Sequence, residues 1–291
     1  MTAVVAKEDT LVAASGNRDF QMSSRDFECI ADIIRGEAGI ALSPCKSSLV
    51  YSRLSKRIRK LGLKTFAEYC AIVSDTANVE ERQLLLTSLT TNVTNFYREP
   101  HHFEDMKANI LPSLLERAAR GDRVRLWSAA CSSGQEPYTM AMSILALAPE
   151  ALSWNIRILA TDIDPSILGK AKAGQYEGQL LKNIPEAEKG RFFSKVTGED
   201  DMWVAKPDLK SIITFKEMNL IRDWPVKGPF DVIFCRNVVI YFEEETEQAV
   251  WTKFANVMEP GARIYIGHSE RISGPALQSF KSEGVTAYSR I

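Results

Sequence analysis

A carboxylate follows a one-glycine turn in the stretch WSAACSSGQEPY, residues 127–138. The stretch reads as a strand that passes through a turn at Gly134 into a helix, and such loops often bind phosphate through backbone N–H groups. Glu136 would repel a pyrophosphate and favours a cationic group instead. It could also serve only to complement the positive end of the helix dipole. The loop therefore argues against a dinucleotide and leaves a cation site and helix stabilisation equally open.

A second acid ends the next apolar run, ATDIDP. Asp162 lies about 30 residues after the first turn, and an acid at this place commonly accepts hydrogen bonds from ribose hydroxyls. The alternative is an N-cap for the following helix, but Asp164, directly before Pro165, fits that cap better. We therefore interpret Asp162 as a ribose ligand.

Polar side chains also lie at the ends of two later predicted strands, in the stretches EMNL and FCRNVVIYF. They are Asn219, Arg236 and Asn237, and burying them without partners would be costly. They must bond to one another or to a ligand. A nucleoside with a cationic end, such as S-adenosylmethionine, suits all four strand ends.

These residues can bind one ligand only if the strands that carry them end side by side. Apolar β-rich runs alternate with helical patterns, which predicts an α/β fold with a doubly wound, mostly parallel sheet. Ligands bind beyond the carboxyl ends of such strands. We expect strands at 124–129, 156–163, 213–219, 230–237, 262–268 and 285–291, and helices at 135–148, 165–173 and 243–258. The last two strands could pair as an antiparallel edge.

The remaining segments extend this domain, which we place at residues 106–291. The predicted parts are a flexible tail (1–21), a small all-α domain (22–90) with Ser24 as its first N-cap, a linker (91–105), and a small antiparallel β insertion (about 175–212). Seven Lys and Arg residues and no acid lie between Lys46 and Lys64. A solvated helix face is the ordinary interpretation of such a run.

Composition narrows the class of protein. The net charge of −1 over 291 residues does not indicate nucleic acid or membrane as a partner. Five cysteines without a C-x-x-C pair indicate reduced thiols in the cytoplasm. The three histidines, His101, His102 and His268, lack the spacing of a metal site, so we expect no metal. No apolar run is long enough to predict membrane insertion, and the N-terminus does not read as a secretory signal.

Five ordered motifs resemble one known family. TNVTNFYREPHHF, RLWSAACSSGQEPYTMA, ATDIDPSIL, GPFDVIFCRNVVIYF and GHSE closely resemble the bacterial chemotaxis receptor methyltransferases, the CheR family, from about residue 23 to the C-terminus. The resemblance implies a Rossmann-like fold. It also implies methyl transfer from S-adenosylmethionine to chemoreceptor glutamates, giving methyl esters and S-adenosylhomocysteine. We expect the protein to be a cytoplasmic monomer. One position departs from the family, which commonly has two acids after the glycine, because the first is here Gln135.

The resemblance also implies roles for individual residues. Arg98 and Tyr241 would lie near the reactive methyl group and orient the acceptor carboxylate. The implied cofactor-binding residues are Asn92, Thr94, Arg98, Glu136, Asp162, Asn219, Leu220, Arg236 and Asn237. The implied partner-binding residues are Arg53, Lys56, Arg57, Arg59 and Lys60, which would face the acidic methylation helices of the receptor. The β insertion would correspond to a subdomain that binds a C-terminal receptor tether in some relatives.

The implied reaction needs little chemical equipment. A glutamate side chain has a pKa near 4.3 and is already anionic at neutral pH, and a sulfonium is already activated. Alignment and desolvation would then provide most of the rate gain. A noncatalytic cofactor-sensing or receptor-binding module and a small-molecule carboxyl methyltransferase remain as alternatives. The missing G-x-G-x-x-G motif and Glu136 argue against a dehydrogenase.

Overall fold

A computed structural model describes residues 20–291 of the chain. Its first compact unit ends at Thr91 and also takes in Tyr241–Glu243. Its second unit comprises Asn92–Ile240 and Glu244–Ile291. Residues 1–19 of the predicted tail lie outside the described residues.

Four α-helices lie in the part of the first unit that the structure describes. They are α1 (Ser24–Ala38), α2 (Ser47–Lys60), α3 (Phe66–Ser74) and α4 (Val79–Leu89). Each presents apolar side chains to a common core, for example Ile30 and Leu54, which are fully buried. The N-cap of α1 is Ser23 rather than the predicted Ser24, because Ser23 and Asp26 form a reciprocal capping box.

The β-strands of the described residues lie in the second unit. They are β1 (Val124–Ala129), β2 (Ile156–Asp162), β3 (Gln175–Glu177), β4 (Phe193–Lys195), β5 (Met202–Ala205), β6 (Ile213–Glu217), β7 (Phe230–Cys235), β8 (Met258–Ile266), β9 (Phe280–Gly284) and β10 (Ala287–Arg290). Seven of them form one sheet in the order β6-β2-β1-β7-β8-β10-β9. The first five of that order are parallel, and β10 pairs antiparallel with both β8 and β9. This arrangement confirms the predicted doubly wound sheet with an antiparallel edge.

Helices of the second unit pack around this sheet. They are α5 (Pro100–Asp105), α6 (Leu111–Ala119), α7 (Gln135–Leu147), α8 (Pro165–Ala173), α9 (Glu186–Phe192), α10 (Pro207–Ser211) and α11 (Glu244–Asn256). A π-helical turn, Met106–Ile110, joins α5 to α6. Almost every side chain of α7 is buried, so this helix holds the loop before it against the sheet. None of the helices within residues 20–291 is both long enough and apolar enough to cross a membrane.

The insertion forms a separate antiparallel sheet in the order β3-β5-β4, which confirms the predicted element. Tyr176 of β3 and Phe193 of β4 make edge-on contacts with the ring of Phe96, at 5.0 and 5.6 Å between ring centres. The hydroxyl of Tyr176 also donates to the carbonyl of Ser133 at 2.7 Å. The small sheet therefore supports both the segment around Phe96 and the loop after β1.

Candidate active site

The loop between β1 and α7 is sharply folded at the carboxyl end of the sheet. Ala130, Ser132 and Gly134 all have positive φ, at 62°, 50° and 95°. A Cβ at Gly134 would lie 3.0 Å from the hydroxyl of Tyr176, so both the backbone angle and the close approach require glycine. The fold of the loop points the N–H of Ser132 at Asp162 Oδ2, at 2.8 Å.

Asp162 is buried at the end of β2. Its two carboxylate oxygens accept from the N–H groups of Ser132 and Asp164, at 2.8 and 3.0 Å. Burial raises the pKa of Asp162 to about 6 against these backbone hydrogen bonds. Asp164 caps α8 as predicted, by accepting from two backbone N–H groups of its first turn. The backbone N–H of Ile163 is a third donor to this carboxylate, which leaves about one of its four acceptor positions for a further donor.

Glu136 lies in the first turn of α7 and is largely covered. The hydroxyl of Ser128 donates to its Oε1 at 2.7 Å, and Arg236 Nη1 donates to its Oε2 at 3.2 Å. Burial raises the pKa of Glu136, while Arg236 and Ser128 oppose the shift. The carboxylate thus pairs with a guanidinium and does more than complement a helix dipole.

Arg236 directly follows β7 and donates to this carboxylate. Its side chain is only 2% exposed, and its Nη2 lies 3.4 Å from Glu99 Oε2. The same nitrogen donates to the carbonyl of Arg98. The guanidinium carbon also lies 5.6 and 5.8 Å from the ring centres of Phe103 and Phe234. One buried arginine is therefore shared between two carboxylates.

Asn237 begins a tight turn that Glu270 holds in place. Glu270 accepts from the backbone N–H groups of Gly267, Asn237, Val238 and Val239, at 2.6–2.9 Å. Burial raises the pKa of Glu270, and these four donors oppose the shift. A Cβ at Gly267 would lie 2.8 Å from both the backbone nitrogen of Asn237 and a carboxylate oxygen of Glu270, which explains the glycine.

Two other predicted residues lie in the loop after β6. Asn219 accepts from the N–H of Ile221 at 3.1 Å, which closes a local turn. Leu220 is 6% exposed, and its carbonyl accepts from Trp224 Nε1 and from Lys253 Nζ. Both lie just after β6, a parallel strand of the main sheet, as Asp162 lies at the end of β2.

The segment before α5 contains three more of the predicted cofactor-binding residues, Asn92, Thr94 and Arg98. Asn92 donates to Asp164 Oδ2 at 3.3 Å, and its carbonyl accepts from the hydroxyl of Ser132 at 3.0 Å. Arg98 donates to the carbonyl of Val93 at 2.9 Å, which closes the 93–98 segment into a loop. Thr94 lies within that loop and is half-buried. The structure thus ties this segment to the loop after β1.

Tyr241 is the second residue predicted to orient the acceptor carboxylate. It lies in the 3₁₀ turn Val239–Tyr241 and is 38% exposed. Its carbonyl accepts from the N–H of Ala41 at 2.7 Å, and it belongs to the first unit. Its role toward an acceptor carboxylate therefore stays a prediction.

The basic side chains of helix α2 are not all exposed, although their spacing predicts a solvated helix face. Arg57 forms an ion pair with Glu81 and is 19% exposed. Arg53 donates to the carbonyls of Leu89 and Thr90 at the end of α4, at 2.9 and 2.8 Å. Both arginines are committed within the helical unit, and the exposed basic residues of α2 are Lys56, Arg59 and Lys60.

Three residues of the site were not predicted from the sequence: Ser128, Glu99 and Glu270. Glu99 and Glu270 both lie inside family motifs, REPHHF and GHSE, and that position was the available signal. Their partners are distant in sequence, so spacing alone does not reveal them.

The residues present fit a cation-bearing nucleoside. Asn237 Oδ1 is buried without a hydrogen-bond partner among residues 20–291, and such an acceptor suits a ligand N–H or O–H. Asp162 retains acceptor capacity for hydroxyls, and the Glu136–Arg236–Glu99 group has a formal charge of −1. Residues 20–291 contain no cluster of three or more His, Cys, Asp or Glu side chains arranged for a metal.

Comparison with known proteins gives two domain matches that together span residues 25–289. The family model described as "CheR methyltransferase, SAM binding domain" matches residues 92–289. The model described as "CheR methyltransferase, all-alpha domain" matches residues 25–90. The chain belongs to the CheR methyltransferase family. The resemblance drawn from the five motifs is confirmed, and the S-adenosylmethionine-binding domain of this family is the one that carries the site.

Curated relatives are similar over nearly their whole length. The "Probable chemotaxis protein methyltransferase" of Rhizobium etli is 49% identical over 257 residues, covering 88% of this chain and 96% of the relative. The "Chemotaxis protein methyltransferase" of Escherichia coli is 37% identical, covering 92% and 91%. That of Salmonella typhimurium is 35% identical, covering 99% and 98%. The chain is therefore similar to complete CheR-family proteins and not to one domain of them.

Proposed function

We propose that this protein transfers a methyl group from S-adenosylmethionine to glutamate side chains of chemoreceptors. The products would be glutamate methyl esters and S-adenosylhomocysteine. The observation that carries the proposal is the buried, anionic Glu136–Arg236–Glu99 group within a CheR-family cofactor domain. Relatives that carry the name chemotaxis protein methyltransferase support the choice of acceptor. We place the reaction in the cytoplasm and assign it to a monomer.

The chain's own residues would bind the cofactor at both ends. Glu136 would accept hydrogen bonds from the ammonium of the methionine end, and Asp162 would accept hydrogen bonds from the ribose hydroxyls. The other cofactor-binding residues are Asn92, Thr94, Arg98, Asn219, Leu220, Arg236 and Asn237. When bound, S-adenosylmethionine supplies an electrophilic methyl group on a sulfonium.

The acceptor needs orientation more than activation. A receptor glutamate is already a carboxylate at neutral pH, so the site need not remove a proton. Arg98 and Tyr241 would align the carboxylate, and exclusion of water would strengthen its attack. A very tight ion pair to Arg98 would weaken the nucleophile, so we assign Arg98 an orienting role.

The receptor would meet the basic helix α2. Lys56, Arg59 and Lys60 are its exposed cations, and complementary charge chiefly speeds encounter and sets orientation. The expected partner surface is the set of acidic methylation helices in the receptor's cytoplasmic part. The β3-β5-β4 sheet is our candidate for a receptor C-terminal tether, since an extended peptide can add to an exposed sheet edge. Arg53 and Arg57 would support this surface from within the helical unit.

The test is transfer of labelled methyl groups to receptor cytoplasmic fragments. We expect label on the receptor that is released by mild base, as a carboxyl ester requires. Glu136→Gln should lose most of this transfer at low cofactor concentration. Cofactor binding without transfer to any receptor would favour a noncatalytic module, and transfer only to small carboxylates would favour a small-molecule methyltransferase.

A further inference from the structure

The connection between β6 and β7 carries two predicted cofactor-binding residues, yet its residues 218–229 contain no helix or strand. The main sheet begins in the order β6-β2-β1-β7, so the connection passes β2 and β1 before it reaches β7. Parallel strands are usually joined through a helix, whose own hydrogen bonds satisfy its backbone. The polar backbone groups of this connection need other partners.

Lys253 of α11 holds the first part of this connection. Its ammonium donates to the carbonyl of Leu220 at 3.0 Å and also to the carbonyl of Arg222. Trp224 Nε1 donates to the carbonyl of Leu220 at 3.1 Å. A lysine ammonium has several donors, so this one side chain binds two carbonyls of an irregular segment at once. Lys253 is half-buried, and partial burial strengthens hydrogen bonds from a charged donor.

Trp224 anchors the same segment in the core. Its ring centre lies 4.8 Å from that of Trp127 and 4.9 Å from that of Phe254, and both of these rings are fully buried. Lys253 Nζ lies 4.5 Å from the centre of the Trp224 ring, within the range of a cation–π attraction. The ammonium therefore has a fixed position from which it binds the two carbonyls.

The segment that Lys253 holds lies at the carboxyl edge of the sheet. The N–H of Met218 donates to the carbonyl of Asp162 at 3.0 Å. Asn219 and Leu220 thus follow β6 directly beside the end of β2. The proposed function assigns the ribose to Asp162 and the methionine end to Glu136, which follows β1. Because β6 lies on the opposite side of β2 from β1, the adenine would lie at the β6 side of the ribose.

We propose that Lys253 is a positioning residue for the adenine end of the cofactor. It acts through the two carbonyls that it binds, and so fixes the place at which Asn219 and Leu220 meet the base. This inference rests on the assignment of Asn219 and Leu220 to the cofactor in the proposed function.

The experiment measures cofactor affinity after the ammonium is removed and after a charged donor is restored. Isothermal titration calorimetry of the full chain would use S-adenosylmethionine and 5′-methylthioadenosine, which keeps the adenine and ribose but lacks the amino-acid end. Lys253→Met should weaken both ligands by the same factor, about five- to tenfold, as expected for about one net hydrogen bond. Lys253→Arg keeps a charged donor and should bind both ligands within about threefold of the wild type.

Lys210→Met is the matched control. Lys210 also donates to a backbone carbonyl, that of Ala173 at 2.6 Å, but neither residue belongs to the predicted cofactor site. Its loss should leave both affinities unchanged. Lys253→Gln keeps a polar head, so it tests the idea even if Lys253→Met folds poorly. It should weaken both ligands by about threefold or more, and unaltered binding would contradict the proposal.

Three results with Lys253→Met and Lys253→Arg would overturn the proposal. Unchanged affinities in a Lys253→Met protein that melts at a lower temperature would mean that the lysine only stabilises the fold. A loss for S-adenosylmethionine alone would place the effect at the amino-acid end. An arginine variant that binds no better than the methionine variant would mean that the charged donor is not the cause. A wild-type protein that binds the cofactor but methylates no receptor would refute the proposed function alone.

Discussion

Replacing Glu136 by glutamine separates the cofactor-binding role of its charge from its structural role. The change keeps the shape of the side chain and its acceptor oxygen for Ser128, which donates at 2.7 Å. It removes the negative charge that we assign to the ligand ammonium. Arg236 keeps Glu99 and the carbonyl of Arg98 as partners.

The expected loss of affinity follows from these contacts. A hydrogen bond to a charged group contributes about 1.5–3 kcal/mol, and every 1.4 kcal/mol is about tenfold in affinity. We expect S-adenosylmethionine to bind the Glu136→Gln protein about 10- to 140-fold more weakly. The free energy of unfolding should change by less than about 1 kcal/mol, because relief of the buried charge offsets the lost pair.

Gln135→Ala is the matched control. The carbonyl oxygen of the Gln135 side chain accepts from Ser133 Oγ at 2.8 Å, a contact within the loop that involves no charge. Its loss should weaken cofactor binding by less than about tenfold. Calorimetric titration and thermal melts of both variants check this. A larger loss in Gln135→Ala than in Glu136→Gln would refute the assignment of the ammonium to Glu136.

Three further predictions concern other parts of the molecule. Cofactor affinity should fall as pH drops below about 6, since burial raises the pKa of Asp162 to about 6 and protonation removes its acceptor charge; the fall should be smaller in Asp162→Asn. By linkage, the stability from that extra proton is present at low pH and lost as pH rises through about 6. Glu270→Gln should lower the free energy of unfolding by about 3 kcal/mol, because an amide oxygen serves about two of four backbone donors; an unchanged melting temperature would contradict it. Lys56→Glu with Lys60→Glu should slow receptor methylation most at low salt, with cofactor affinity unchanged, whereas Arg57→Glu should reduce stability; unaltered low-salt kinetics of the double variant would refute the docking role.

The order of elements could be predicted from the sequence because hydrophobic patterning decides it. Apolar runs predict the bounds of β1 as 124–129 and of α8 as 165–173, as the structure has them. β9 was missed because four of its five residues are exposed, so it lacks a buried-strand pattern. The predicted strand at 262–268 begins earlier, at Met258, and ends at Ile266, since its first half is mostly exposed and contains a proline and a glycine.

The polar residues at strand ends could also be predicted from the sequence. Parallel strands end at one edge of a sheet, so the order of the apolar runs is enough to place Asp162 and Arg236 at that edge. The contacts of these side chains do not follow from that order. Glu99 meets Arg236, and Glu270 meets the turn after β7, only through the folded chain.

For the basic helix α2, too, the sequence does not reveal which side chains are covered by a neighbouring helix. Spacing places Arg53, Lys56, Arg57 and Lys60 on one face, yet two of them are bound to α4 and its C-terminal end. A charge pattern records which residues share a face, and it does not record which neighbouring helix covers part of that face. Charge reversal at Arg53 or Arg57 would therefore confuse receptor docking with folding of the helical unit.

The most direct test of methyl transfer to glutamate is the position of the methyl group itself. Receptor cytoplasmic fragments would be incubated with the full chain and S-adenosylmethionine, digested, and mapped by tandem mass spectrometry before and after mild base. The account predicts methyl groups on glutamate side chains of acidic receptor helices, all of them removed by base. Base-stable methyl groups on lysine, arginine or cysteine would contradict it.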